Sequence, residues 1–206
     1  MMPFRYNTSM NCLPESFYLA DAAEVARNLL GKRLVRVYQG KRLSGIITET
    51  EAYRGEEDLA CHARSGQTRR NAVMYGAAGR AYIYFTYGMH WCFNAVCAEP
   101  GFPAAVLVRA VEPREGLESM AERRKGIPAS NWCNGPARLC KAMAIDGDLN
   151  GASLCDPVSP LVIEDAHTIP DDAVNASARV GINYAPEPWR SIPWRYSIQP
   201  FYLESL

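Results

Sequence analysis

The sequence predicts an α+β fold: one domain over residues 1–206, with a curved, mainly antiparallel β-sheet flanked by helices. Three observations lead there. Short alternating apolar/polar runs follow one another across tight turns, as hairpins do. Helical segments with their own capping signals stand apart from those runs instead of alternating with them, which separates this class from a parallel α/β sheet. No repeat, low-complexity tract or linker divides the 206 residues, and a 48% hydrophobic content supplies a core.

Taken in order, residues 1–13 read as irregular. Asp21-Ala22-Ala23-Glu24 has the form of a capping box, with a short acceptor at the N-cap and Glu three residues on. The helix it opens carries Val25, Leu29 and Leu30 and should stop at Gly31. Leu34–Tyr38 and Leu43–Tyr53 read as an antiparallel hairpin across Gln39-Gly40-Lys41-Arg42. In the second strand, alternation puts Ile47, Glu49, Glu51 and Tyr53 on one face and Ile46, Thr48, Thr50 and Ala52 on the other. Residues 54–72 form a long polar, basic loop, of a length that is usually either functional or disordered. Residues 72–77 read as a short turn or strand. Gly79–Ala98 reads as two strands meeting near Tyr87-Gly88-Met89, with Tyr82, Tyr84 and Thr86 on one face and Tyr87 at the turn. Ala104–Val111 is an apolar strand interrupted by Arg109. Pro113–Arg124 reads as an amphipathic helix with Leu117 and Met120 inward, and Asn134-Gly135-Pro136 opens another helix carrying Leu139 and Met143. Leu161–Ile163 is a short strand and Asp172–Arg179 reads as helical. The prolines after residue 185 confine the last stretch to an edge strand or irregular packing.

Composition narrows the function classes. The formal net charge is zero, which argues against a tail-driven nucleic-acid binder. The charge is unevenly spread, however. Leu59–Ala98 contains no acid but holds Arg64, Arg69, Arg70 and Arg80, which describes a basic face on a neutral protein. Seven cysteines with no Cys-x-x-Cys, and three histidines far apart, fit reduced and mostly buried thiols rather than a disulfide framework or a zinc ribbon. There is no apolar run of membrane-spanning length, no apolar leader after Met1, no GxGxxG and no GxxxxGK[ST]. The expectation is an unsecreted, cytoplasmic protein without metal or cofactor.

Two groups of residues can carry chemistry. Glu51 beside Tyr53 offers a carboxylate next to a ring, suited to activating a water beside a stacked ligand. Arg109, inside an apolar strand, needs an acidic or phosphate partner. That partner makes either a structural ion pair or an orienting partner for Glu51. The aromatic set Tyr53, Tyr82, Tyr84, Tyr87, Trp91 and Phe93, with His62 and Asn94, is either ordinary core or a surface that stacks bases. The same residues leave room for a sugar hydrolase built on Glu49 and Glu51. Two residues apart on a strand they stand roughly 6.5–7 Å apart, within the inverting range, but on one side of the substrate. A binding module without chemistry is the third alternative.

The residues Glu49-Thr50-Glu51-Ala52-Tyr53, His62, Arg70-Asn71, Met74, Tyr82-Ile-Tyr84-Phe-Thr-Tyr87-Gly88-Met89, Asn94, Leu107-Val108-Arg109, Asn134-Gly135-Pro136 and Ala178-Arg179-Val180-Gly181 together resemble, in order and spacing, the alkyladenine (3-methyladenine) DNA glycosylases. The resemblance spans about Phe17 to about Ile198. It implies a single mixed α/β domain that needs no metal or cofactor, and a monomer acting on double-stranded DNA with damaged purines. By the resemblance, Glu51 is the general base for the attacking water and Arg109 its supporting partner. Tyr53, His62 and Tyr84 wall the pocket for the damaged base, Asn94 checks the purine, and Tyr87 enters the duplex where the nucleotide has left. Alkylated purines are the implied substrates, with deaminated and etheno purines beyond them. With no lysine at a matched catalytic position, hydrolysis without strand cleavage is expected. With no long basic N-terminal tail, DNA contact is expected to rest on the Arg64, Arg69 and Arg70 region. Tyr75 departs from the phenylalanine common in the family.

Overall fold

A computed structural model describes residues 11–203. The irregular reading of the N-terminus therefore falls mostly on residues 1–10, outside the described residues. The helices are α1 (Glu15–Tyr18), α2 (Ala22–Asn28), α3 (Leu117–Arg123), α4 (Pro136–Ala142) and α5 (Pro200–Leu203). The strands are β1 (Arg33–Tyr38), β2 (Lys41–Arg54), β3 (Ala81–Thr86), β4 (His90–Val96), β5 (Ala104–Glu115), β6 (Leu161–Glu164), β7 (Val174–Ser177) and β8 (Arg195–Ile198). All pairings are antiparallel, and the sheet runs β3-β4-β5-β2-β1-β6, curled into a half-barrel. This is the α+β class that the hairpin pattern predicts.

The central strand β2 organises the rest. Its first half pairs with β1 through a two-residue turn, Gln39-Gly40, with both residues at positive φ. On the same edge its second half pairs with β8, and β5 runs along the other edge. Asp21 accepts a hydrogen bond from the Ala23 N–H and so caps α2. This helix packs on the core face of the sheet, where the Thr50 hydroxyl donates to the Ala26 carbonyl. The main core holds Leu29, Leu30, Leu43, Ile47, Ala52, Phe93 and Leu139. A smaller cluster, with Cys61, Met74, Tyr82 and Val96, lies beneath the loop after β2. Five of the seven cysteines are buried thiols.

Three expectations are corrected. Ile47 joins Leu43 and Ala52 in the main core instead of sharing a face with Glu51, because the pairing with β5 is irregular between Ile47 and Thr50. β5 continues to Glu115, with Pro113 opposite Gly45, so the third helix starts only at Leu117. Gly116 makes that break at φ +73, where a Cβ would lie 2.8 Å from the Leu43 side chain. Leu117 opens the helix half-exposed, while Met120 is buried as expected. Asp172–Arg179 is a 3-10 turn followed by β7, because pairing with β8 outweighs the weak local helix signal. Of the two alternatives for residues 72–77, the turn is the one found, a 3-10 helix over Ala72–Tyr75.

The basic loop is ordered. The Asn71 amide, almost fully buried, donates to the carbonyls of His62 and Gly66 and accepts from the Thr68 N–H. One side chain thereby closes the loop on itself, as in a compact Ω-loop.

Candidate active site

Five strands contribute to one transverse row of the sheet. Tyr82 pairs with Asn94, Asn94 with Leu107, Leu107 with Glu51, and Glu51 with Arg195. Directly opposed residues point to the same face. Tyr82, Asn94, Leu107 and Glu51 therefore converge on one cavity of about 250 Å³. The row above it adds Tyr84 opposite Cys92. Strand parity gives the face, and the antiparallel register brings residues as far apart as 51 and 107 side by side.

Glu51 is fully buried at the cavity wall. Its Oε2 accepts from the Tyr53 hydroxyl at 2.8 Å. Its Oε1 accepts from the Val180 N–H at 2.6 Å and lies 3.2 Å from Arg109 Nη1. Burial raises its pKa above the ordinary glutamate value, against the opposing pull of Arg109, Val180 and Tyr53. Arg109 also donates through Nε to Glu49 at 2.9 Å, and Glu49 takes Arg195 at 3.4 Å. The two carboxylates thus share one guanidinium from one side of one strand. They do not flank a space where a sugar could sit.

Aromatic rings form the rest of the wall. His62 meets Tyr84 edge to face at 4.5 Å, and its Nδ1 is 2.9 Å from the Tyr82 hydroxyl. Burial of the ring, helped by Arg70 and Arg64, lowers the His62 pKa to about 4. The ring is therefore neutral at pH 7. Asn94 is buried and donates to the Tyr82 carbonyl. At the mouth, Tyr87 sits on the β3–β4 turn at φ 51, with 86% of its surface exposed. Arg70 stands over the Tyr84 ring at 5.2 Å and Arg64 over the Tyr184 ring at 5.1 Å, while Arg69 is exposed on the loop. Glu51, Tyr53, His62, Tyr82, Tyr84, Tyr87, Asn94 and Arg109 line the cavity itself; the three loop arginines do not, and of the aromatic set Phe93 belongs to the main core with Trp91 packed against it.

Sequence reasoning missed several participants. The Val180 N–H is a backbone donor, invisible to a reading by residue type. Its only signal is the string Ala178-Arg179-Val180-Gly181. Tyr184 lines the mouth with its hydroxyl on the Ala60 carbonyl. Asp58 and Arg179 form a buried ion pair next to the site. No group of three His, Cys, Asp or Glu side chains able to hold a metal occurs among the described residues. No helix there is long and apolar enough to cross a membrane.

The chain is 49% identical over 186 residues to a protein of Myxococcus xanthus, covering 90% of this chain and 89% of the relative. It is 45% identical over 204 residues to one of Desulfitobacterium hafniense, covering 95% and 96%. It is 47% identical over 186 residues to one of Methanocella arvoryzae, covering 88% and 92%. All three relatives carry the name "Putative 3-methyladenine DNA glycosylase". The sequence profile of methylpurine-DNA glycosylase matches residues 16–200, nearly the whole chain. The chain belongs to the methylpurine-DNA glycosylase family.

Proposed function

We propose that this chain is a monofunctional DNA glycosylase. It takes an alkylated purine such as 3-methyladenine out of duplex DNA into the aromatic cavity and hydrolyses the N-glycosidic bond, leaving an abasic site. The observation that carries this reading is Glu51, a fully buried carboxylate held by Tyr53, Val180 and Arg109 on the wall of an aromatic cavity. A volume of about 250 Å³ suits a single nucleobase and is below the roughly 300–1,000 Å³ of pockets for drug-sized ligands.

The target bond lies inside the base stack, so the nucleotide must be extruded at a cost of roughly a few kcal/mol. Tyr87, on its exposed turn, fills the gap and recovers part of the stacking. Purines alkylated at N3 or N7 carry positive charge. The faces of Tyr53 and Tyr84 attract that charge, and the neutral His62 ring does not oppose it. The cationic base is already a good leaving group. Glu51 takes a proton from the attacking water, and its raised pKa makes it a stronger base than an exposed glutamate. Arg109 fixes the carboxylate, and Asn94 presents a polar limit to the purine edge.

The test is release of 3-methyladenine from methylated duplex DNA by the wild-type protein and by Glu51→Gln. The expected loss in the variant is about two to four orders of magnitude. An inactive wild type would overturn the glycosylase reading. An undiminished Glu51→Gln rate would leave the reaction standing but remove Glu51 as its base.

A further inference from the structure

We propose that Asp58 and Arg179 are positioning residues for the reaction: their buried pair sets the backbone N–H of Val180 and the ring of Tyr53 against the two oxygens of Glu51. This inference rests on the reading of Glu51 as the general base.

The pair joins four separate pieces of chain around one guanidinium. Arg179 Nη1 donates to Asp58 Oδ2 at 2.5 Å and to the Ala52 carbonyl at 2.9 Å. Its Nη2 donates to Asp58 Oδ1 at 2.9 Å and to the Trp189 carbonyl at 3.2 Å. The guanidinium stands over the Tyr53 ring at 4.7 Å and over the Trp194 ring at 5.1 Å. Ala52 lies between Glu51 and Tyr53 in β2, and Val180 directly follows Arg179. Two anchors of the guanidinium thus bear directly on Glu51: the Ala52 carbonyl, one residue from it, and the Tyr53 ring, whose hydroxyl donates to it, while Asp58 and Trp189 tie in the more distant loops. Asp58 works on the other side. It also accepts from the Ala60 N–H at 3.0 Å and so shapes the turn that leads to His62.

Stability alone is a poor explanation for this arrangement. Both side chains are fully buried, and Arg179 Nε is a buried donor without a hydrogen-bond partner. Desolvating two charges costs enough that an apolar filling of the same space is often at least as stable. A planar, bidentate pair instead gives geometric definition. The definition is delivered at Glu51. A displaced Val180 N–H would remove one of the donors that favour its charged form.

The test uses Arg179→Lys in the full-length protein. A lysine keeps the positive charge but has neither the fork for Asp58 nor the plane for the two rings. Two quantities are measured: the single-turnover rate of 3-methyladenine release against pH, and binding to a duplex carrying a tetrahydrofuran abasic analogue. The expected result is a folded protein that binds the analogue within about twofold of wild type. Its rate falls by about ten- to a hundredfold, the effect of a misplacement near 1 Å. Its acid limb moves to higher pH, because Glu51 has lost a hydrogen bond to its charged form. A lower melting temperature with rate and acid limb unchanged would overturn the proposal, since a purely structural pair predicts that result. If Arg179→Lys does not fold, Asp58→Asn carries the same measurements with the same expected directions. Failure of both variants to fold would make the pair a folding element and overturn the proposal as well. An inactive wild type would instead remove the glycosylase reading, and this inference with it.

Discussion

At the scale of single residues, the site divides two chemically identical carboxylates by environment. Glu51 is fully buried with three donors, whereas Glu49 keeps about a quarter of its side chain exposed and serves Arg109 and Arg195. The negative charge of Glu49 raises the Glu51 pKa, and Glu49 also holds the Nε of the guanidinium that lowers it. Glu49→Gln removes the first effect and leaves Arg109 to Glu51. In the proposed mechanism the reaction needs the Glu51 carboxylate, so activity should be lost as pH falls through its pKa. The acid limb of the pH–rate profile should therefore move to lower pH in Glu49→Gln, the opposite direction from Arg179→Lys. A shift to higher pH would mean that Glu49 acts chiefly by holding Arg109 in place. His62, with its pKa near 4, should add no inflection around pH 6.5 to either profile.

At the scale of elements, the β3–β4 hairpin shows what was legible in the chain. Alternating apolar and aromatic residues on either side of Tyr87-Gly88-Met89 announce two strands and a turn, and Gly88 supplies one of two consecutive positive φ angles. The ring is 86% exposed, so Tyr87→Ala should change stability by no more than about 0.5 kcal/mol, as surface substitutions do. It should weaken engagement of the extruded nucleotide by about 1–3 kcal/mol, the worth of one stacked ring. Melting temperature and binding to a duplex with a flipped fluorescent base check the two halves. A large loss of stability would return Tyr87 to the core. Local patterns failed where long-range pairing decides. Asp172–Arg179 contains a strand because β8 lies beside it. Ile47 changes face because β5 and β2 pair irregularly beside it. Asp58 and Arg179 are 121 positions apart, and nothing near either residue announces the other. The site residues named from the family resemblance do meet in one cavity. The row of paired residues that gathers them becomes visible only with the register.

At the scale of the whole molecule, a net charge of zero coexists with an acid-free stretch carrying four arginines. Two of these, Arg64 and Arg70, are held over tyrosine rings at the cavity mouth, and Arg69 projects from the same ordered loop. A neutral total charge removes long-range attraction, so duplex binding should depend on these local charges and fall steeply with salt. Each phosphate neutralised by an arginine contributes about −0.9 to the slope of log K against log salt. Arg69→Gln should therefore make the slope shallower by about one and weaken binding to damaged and undamaged duplexes equally, since a phosphate contact carries no information about the base. Arg70→Gln should differ. Its guanidinium lies over Tyr84, a wall of the cavity, and is also one of the charges that hold the His62 pKa down. Removing it should reduce the slope by a similar amount and, in addition, reduce the preference for a damaged duplex over an undamaged one. Titrations of both duplexes at several salt concentrations separate the two arginines. Equal effects on slope and preference would show that the whole loop acts as one diffuse positive surface, without the division between phosphate contact and pocket wall that the positions of Arg69 and Arg70 imply.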